Sequence, residues 1–209
     1  IVLAGAGDKA FVSGADISQF EKERSSADAV QRYEELAEGA AAKLQGCDKP
    51  LIAMIRGYCL GGGMNIAVLC DLRIAADDAR FGIPAAKMGL GYRASSMKNL
   101  VDVVGAAYAR EIMITARQFT AAEAKEMGLV NKVVAVSELE KAVAEYTQMI
   151  AGNAPLTMRT AKRIIREIGA VNYDAAKCKA WAKECFESAD YKEGRKAFME
   201  KRKPVFTGK

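Results

Sequence analysis

The 209-residue chain contains no histidine, and this absence removes many kinds of chemistry at the outset. Without an imidazole there is no Ser-His-Asp or Cys-His relay, no histidine-ligated zinc or haem, and no histidine pH switch. Any acid–base step therefore falls to Asp, Glu, Lys, Tyr, Cys or a bound water.

The cysteines do not have the pattern of a disulfide framework. The five cysteines are odd in number, lack a CxxC spacing and mostly have apolar neighbours. This favours reduced, buried thiols and a cytoplasmic location. No apolar run is long enough to span a membrane, so we expect neither a membrane partner nor a signal peptide.

The charge balance is only mildly basic, with 31 basic and 26 acidic residues and a formal net charge of +5. The basic residues are interspersed with acidic ones, so the sequence predicts no nucleic-acid partner, whereas an anionic small molecule is compatible with it. An apolar fraction of 51% and a charged fraction of 27% are typical of a folded globular chain.

Short buried strands alternate with turns and helices along the first two-thirds of the chain, whereas the last third is helical. This alternation predicts an α/β fold with mostly parallel strands. The predicted strands cover residues 1–4, 10–12, 51–55, 72–76 and 130–136, and the predicted helices 29–44, 64–70, 156–168 and 175–186.

Several local signals mark helix ends. Thr120 with Glu123, and Ser137 with Glu140, have the spacing of a capping box. Gly128 is a natural C-terminal stop for the first of these helices. Asp190 is a candidate cap for a further helix.

The strongest candidate for chemistry is a glycine-dense segment at 56–65, RGYCLGGGMN, which lies between a predicted strand and a predicted helix. Without Cβ atoms at Gly61, Gly62 and Gly63, a ligand can approach the backbone closely. The helix that follows would direct its N-terminal N–H groups at that ligand. The alternative is a turn, or close packing of the helix against a strand. The spacing is not that of a P-loop.

A second segment, AFVSGADI at 10–17, is a strand that ends in a small-residue turn. Together with the glycine segment, it resembles the crotonase superfamily, the enoyl-CoA hydratase/isomerase family. Further matches to that family extend the resemblance over nearly the whole chain: CDLRIA at 70–75, ARFGIP at 79–84, AKEMGLV at 124–130 and EGRKAFMEKR at 193–202.

The resemblance implies a crotonase-like spiral of ββα turns over 1–152 and a C-terminal helical oligomerisation region over 153–209. It also implies a homotrimer or homohexamer, and we expect the family's N-terminal strands to precede this chain. The implied substrate is an acyl-CoA thioester. Coenzyme A is then part of the substrate, and neither a metal nor a redox cofactor is implied.

In the family, two backbone N–H groups form an oxyanion hole for the thioester oxygen, and by motif these are Ala15 and Gly62. The resemblance implies that Ser13 and Ala15 lie along the CoA moiety. Phe198 and Lys201 match positions that reach the CoA nucleotide from a neighbouring subunit, although a basic tail is equally typical of a solvated helix face. The remaining motif positions that we expect to bind substrate are Gly14, Asp16, Gly61, Gly63 and Ala85.

This chain departs from the family pattern at both catalytic glutamates. The matching positions are Asn65 and Ala85, and neither can move a proton at neutral pH. The sequence therefore predicts weak classical hydration.

Some decarboxylating members lack the same glutamates and resemble this chain in the placement of Tyr92. That side chain could orient a carboxylate or donate a proton, or it could simply pack. Asn65 could hydrogen-bond the substrate or a water.

The predicted function is that of an acyl-CoA lyase or isomerase that stabilises a thioester enolate. One alternative is a decarboxylase or another member that cleaves a C–C or C–X bond. The other is a non-catalytic acyl-CoA-binding subunit.

Overall fold

A computed structural model describes residues 1–14, 27–170 and 172–209. The chain forms two compact units, the first consisting of Ile1–Cys47 and Leu51–Val143, and the second of Asp48–Pro50 and Ala144–Lys209. The sequence predicted a division at residue 152, whereas the compact units divide at Val143. The oligomerisation role of the second part stays a prediction.

Two four-stranded sheets form the framework of the first unit. One sheet has the order β1-β3-β5-β8 and is parallel throughout: β1 is Val2–Ala4, β3 Ile52–Ile55, β5 Leu72–Ala76 and β8 Lys132–Val134. The other has the order β2-β4-β6-β7: β2 is Ala10–Val12, β4 Tyr58–Leu60, β6 Arg80–Gly82 and β7 Phe119–Thr120. In this second sheet only the β6–β7 pair is antiparallel.

The first six strands alternate between the two sheets, and a helix follows each of their three pairs. The helices of this part are α1 Ala27–Gln45, α2 Gly62–Leu69, α3 Ala94–Thr115 and α4 Ala121–Glu126. The chain thus runs β1–β2–α1, β3–β4–α2 and β5–β6–α3. The predicted mostly parallel α/β arrangement is confirmed, and its unit is a repeated ββα turn.

The centre of the first sheet is almost fully buried. In β3, Ile52, Ala53 and Ile55 are at most 2% exposed. Parallel strands that are covered on both faces have continuous runs of apolar residues in their sequence. That is why residues 51–55 and 72–76 could be recognised as strands from the sequence.

Hydrogen bonds of the Asp71 and Arg73 side chains fix the backbone at the start of β5. The Asp71 carboxylate accepts a hydrogen bond from the backbone N–H of Leu51 at 2.7 Å. The buried Arg73 guanidinium donates to the carbonyls of Leu129 and Cys70, each at 2.6 Å. Burial lowers the pKa of Arg73, but the carbonyl partners stabilise the charged group. Both residues therefore have structural roles.

The capping signals are only partly confirmed. Thr120 and Glu123 form the predicted capping box at the start of α4, and Gly128 follows the helix with φ +74°. Ser137, by contrast, lies within a short 3-10 turn, Val136–Glu138, and helix α5, Leu139–Ala151, begins after that turn.

Three further helices belong to the second unit: α6 Pro155–Ile168, α7 Ala175–Glu187 and α8 Ala189–Met199. Pro155 occupies the first turn of α6, where its missing N–H costs nothing. The predicted helices 156–168 and 175–186 are confirmed, each to within one residue at either end.

The predicted cap Asp190 has a different role. Ser188 caps α8 by accepting from the N–H of Tyr191 at 3.0 Å. The buried Asp190 carboxylate instead accepts from the N–H groups of Thr207 and Gly208, at 2.7 and 2.9 Å. These bonds anchor the C-terminal tail beside α8. The tail, α6, α7 and α8 together line a largely apolar cavity of about 650 Å³.

Candidate active site

The three consecutive glycines before and within α2 serve different purposes. Gly61 has φ +52°, a conformation that favours glycine, and its N–H donates to the Gly82 carbonyl at 2.9 Å. A Cβ at Gly63 would lie 2.1 Å from the Val12 carbonyl oxygen, so this glycine lets the helix pack closely against β2. A Cβ at Gly62 would meet no atom of the described residues within 4 Å. A turn therefore explains Gly61 and close packing explains Gly63, but neither alternative explains Gly62.

Gly62 is the first residue of α2. Within the described part of the chain, its N–H group has no hydrogen-bond partner. The first N–H groups of a helix carry the positive end of the helix dipole and remain available to an outside acceptor. The position is therefore chemically suited to hold an oxygen that carries negative charge.

The segment at 10–17 meets the glycine run directly. Strand β2 pairs in parallel with β4, and Val12 lies opposite Cys59. A Cβ at Gly61 would lie 3.9 Å from the Gly14 Cα. Ser13 and Gly14 follow β2, so the structure brings these predicted binding residues to the start of α2. Ala15 and Asp16, also predicted for the site, lie outside the described residues.

Tyr92 and Asn65 form a hydrogen-bonded pair beside this glycine backbone. The Tyr92 hydroxyl lies 3.0 Å from Asn65 Oδ1 and 3.4 Å from the Gly61 carbonyl oxygen. Asn65 is the fourth residue of α2, and Tyr92 lies in the loop before α3. The two predicted catalytic side chains are therefore in direct contact, although 27 residues separate them.

The Tyr92 phenol stays protonated at neutral pH. Burial raises the pKa of Tyr92, and this effect outweighs the nearby Arg93 charge, which lowers it. A protonated phenol donates one hydrogen bond. At this site the donor lies closest to Asn65 Oδ1.

Helix α1 lies next to the same loop. The Arg93 guanidinium donates to the Glu34 carbonyl at 3.2 Å. Tyr33, one residue earlier on α1, contributes electrostatically to raising the pKa of Tyr92. Sequence reasoning missed Tyr33 as a site neighbour. Its only signal was its place on the apolar stripe of a predicted helix.

Ala85 brings no acid–base group to the site. It lies within a 3-10 turn, Pro84–Met88, and is 3% exposed. Its side chain is a single methyl group, which neither accepts nor donates a proton. Since Asn65 carries an amide, neither of the two positions supplies a carboxylate.

The predicted CoA contacts of the C-terminal helix belong to the second unit. Phe198 lies near the end of α8 with 83% of its surface exposed, and it lines the apolar cavity. Lys201 follows the helix with φ +54°. Their contact with CoA bound by a neighbouring copy stays a prediction.

The cysteine thiols near the glycine run are unsuited to nucleophilic chemistry. Cys59 and Cys70 are both buried, and burial raises the pKa of the Cys59 thiol. Because the thiolate is the nucleophilic form, Cys59 stays unreactive at neutral pH.

The described residues, 1–14, 27–170 and 172–209, contain neither a metal-binding cluster nor a membrane-spanning helix. No group of three or more Cys, Asp or Glu side chains there is arranged to hold a metal ion. No helix in that part of the chain is both long and apolar enough to cross a membrane.

Comparisons with known proteins agree with one another. A family model described as enoyl-CoA hydratase/isomerase matches residues 1–209. The short-chain-enoyl-CoA hydratase of Clostridium acetobutylicum is 38% identical over 206 residues, which cover 97% of this chain and 78% of the relative. A peroxisomal Delta(3,5)-Delta(2,4)-dienoyl-CoA isomerase of Arabidopsis thaliana is 34% identical over 221 residues, covering 99% and 78%.

A solved structure shares the fold along the whole chain. The crystal structure of an enoyl-CoA hydratase/carnithine racemase from Magnetospirillum magneticum superposes with a TM-score of 0.93 at 36% identity. The match covers 100% of this chain and 78% of that one.

Proposed function

The chain belongs to the enoyl-CoA hydratase/isomerase family of acyl-CoA enzymes, and we propose that it stabilises a thioester enolate without a catalytic carboxylate pair. Membership confirms the predicted resemblance and the crotonase-like α/β core. The observation that carries the proposal is the start of α2, where the open Gly62 N–H lies three residues before Asn65.

The Gly62 N–H is the first oxyanion donor of the proposed site. When an acyl thioester loses a proton or CO₂ from its α-carbon, the bonding electrons remain and negative charge collects on the thioester oxygen. A preorganised N–H donor stabilises that charge by about 3 kcal/mol without needing a titratable side chain. The second donor of the proposal is the Ala15 N–H, which rests on the motif match alone.

The absence of carboxylates at positions 65 and 85 argues against efficient hydration. Adding water to an enoyl thioester needs one group to take a proton from water and another to deliver a proton to carbon. An amide and a methyl group do neither. The proposed activity is therefore that of a lyase or isomerase in which classical hydration is weak.

Decarboxylation is the second candidate, and the absence of carboxylates at positions 65 and 85 favours it. In that reaction the bond between the α-carbon and the carboxylate breaks, and CO₂ leaves. The electron pair becomes the thioester enolate, and water then supplies a proton to the α-carbon. Such a step needs charge stabilisation and one proton, but no carboxylate base.

A panel of acyl-CoA thioesters incubated with the protein and read by mass spectrometry tests the proposal. Hydration adds the mass of water and decarboxylation removes that of CO₂, while chromatography detects isomerisation. Conversion of any member, with slow hydration of crotonyl-CoA, supports the proposal. Binding of CoA thioesters without conversion across the panel would instead indicate a non-catalytic acyl-CoA-binding subunit.

A further inference from the structure

From the direction of the hydrogen bonds at the start of α2, we infer that Asn65 contacts the acyl chain and selects chains that carry a carboxylate. Tyr92 is then a positioning residue that holds the Asn65 amide. This inference rests on the proposed function, because it takes the Gly62 N–H as the thioester site. It concerns the choice of acyl group, which that proposal leaves open.

The Tyr92 proton has one favourable acceptor. Its hydroxyl oxygen lies 3.0 Å from Asn65 Oδ1 but 3.4 Å from the Gly61 carbonyl. The Gly61 carbonyl also accepts from the backbone N–H of Asn65 at 3.2 Å. Hydroxyl hydrogen bonds are strongest below about 3.0 Å, so Tyr92 donates to Asn65.

This bond fixes the orientation of the Asn65 amide. Since Oδ1 accepts the Tyr92 proton, the two Nδ2 hydrogens point away from Tyr92. Neither hydrogen has a partner in the described part of the chain. The pair therefore presents donors to the site, and the only proton of Tyr92 is already engaged. Of the roles that the sequence left open, this favours Asn65 rather than Tyr92 as the residue that meets the substrate.

The unpartnered amide lies on the same side of α2 as Gly62. Residues three apart in a helix share a face, and side chains tilt toward the helix N-terminus. The short distances from Tyr92 to both Asn65 Oδ1 and the Gly61 carbonyl place this amide beside the first turn. A thioester oxygen on Gly62 would therefore bring the acyl chain past Asn65 Nδ2.

The local charge favours an anion over a neutral acceptor. The Arg93 guanidinium is close enough to Tyr92 to lower its pKa, although burial has the larger opposite effect. Its hydrogen bond goes to the Glu34 backbone carbonyl, and among the described residues no carboxylate pairs with it. A carboxylate on the acyl chain would satisfy the Asn65 donors and gain from this charge, whereas a hydrocarbon chain would leave the donors unsatisfied.

Two ligands that differ only at the end of the acyl chain test this selection. Propionyl-CoA ends in a methyl group, and malonyl-CoA has a carboxylate in its place. Isothermal titration calorimetry gives both dissociation constants, and mass spectrometry of each sample reports any loss of CO₂. Because hydrogen bonds to charged groups contribute strongly, we expect malonyl-CoA to bind at least about 10-fold more tightly.

Four variants assign the effect to the pair. Asn65→Leu keeps the side-chain volume and should abolish the preference for malonyl-CoA over propionyl-CoA. Asn65→Asp should reverse it through repulsion, and Tyr92→Phe should reduce it because the amide is no longer held. Tyr108→Phe, at a partly exposed position on α3, is the matched control and should keep the full preference.

The outcomes separate this inference from the proposed function. If neither thioester binds, the proposed acyl-CoA site is wrong, and the inference fails with it. If both bind equally well to the unaltered protein, the proposed function stands and the selection by Asn65 is refuted. A preference that survives Asn65→Leu also refutes it, because the carboxylate would then be recognised elsewhere.

Discussion

Replacing Gly62 with proline removes a single N–H group from the proposed oxyanion site. Proline is tolerated at the first position of a helix, where the missing N–H has no helical acceptor. A Cβ at this position meets no atom within 4 Å in the described part of the structure. Gly62→Pro should therefore fold, and Gly62→Ala, which keeps the N–H, is its matched control.

The loss of one oxyanion donor costs about 3 kcal/mol of transition-state stabilisation, or about 10²–10³-fold in kcat. We expect that loss in Gly62→Pro and a much smaller one in Gly62→Ala. The assay is steady-state kinetics on the acyl-CoA that the panel shows to be converted fastest, with circular dichroism to check the fold. An equal loss in both variants, or full activity in the proline variant, would refute the assignment of Gly62.

Three other predictions concern the framework. Gly63→Ala should lower the free energy of unfolding by about 1–3 kcal/mol, because the alanine Cβ would lie 2.1 Å from the Val12 carbonyl oxygen. Thermal melting measures the loss of stability, and a melting temperature equal to that of Gly62→Ala would contradict the prediction. Hydrogen bonds, chiefly from the Thr120 N–H and also from Arg117, lower the pKa of Glu123 from 4.5 to about 2. Because the pKa of Glu123 is lower in the folded state, its ionised carboxylate stabilises the protein above pH 4.5. That stabilisation is lost as the pH falls to about 2. The melting temperature of Glu123→Gln should therefore lie below that of the unaltered protein at pH 7 and meet it near pH 2; a gap that does not depend on pH would refute this. Light scattering should give the mass of a trimer or hexamer, and a monomer would contradict the oligomer prediction.

Local sequence patterns predicted the strands and several helix ends because their causes are local. The continuous apolar run at 51–55 reflects a strand buried on both faces. The Thr120 capping box needs only residues three apart, and it forms as expected. The same pattern misled at Ser137, where a 3-10 turn precedes the helix.

Contacts between distant segments could not be read in the same way. The motifs placed Asn65 and Tyr92 in one site, but not the hydrogen bond that joins them across 27 residues. Asp190 was expected to cap a helix, yet its carboxylate holds the tail at Thr207 and Gly208. In each case the hydrogen-bond partner is determined by the tertiary fold, and no residue spacing in the sequence indicates it.

The central claim is that the start of α2 stabilises a thioester enolate, and the enolate of bound acetoacetyl-CoA tests it most directly. Its ultraviolet absorbance, titrated against pH, gives the pKa of the ligand free and bound. If one N–H contributes about 3 kcal/mol, the bound pKa should fall by about 2 units, and Gly62→Pro should remove most of that shift. A bound pKa equal to or above that of the free ligand would contradict the account.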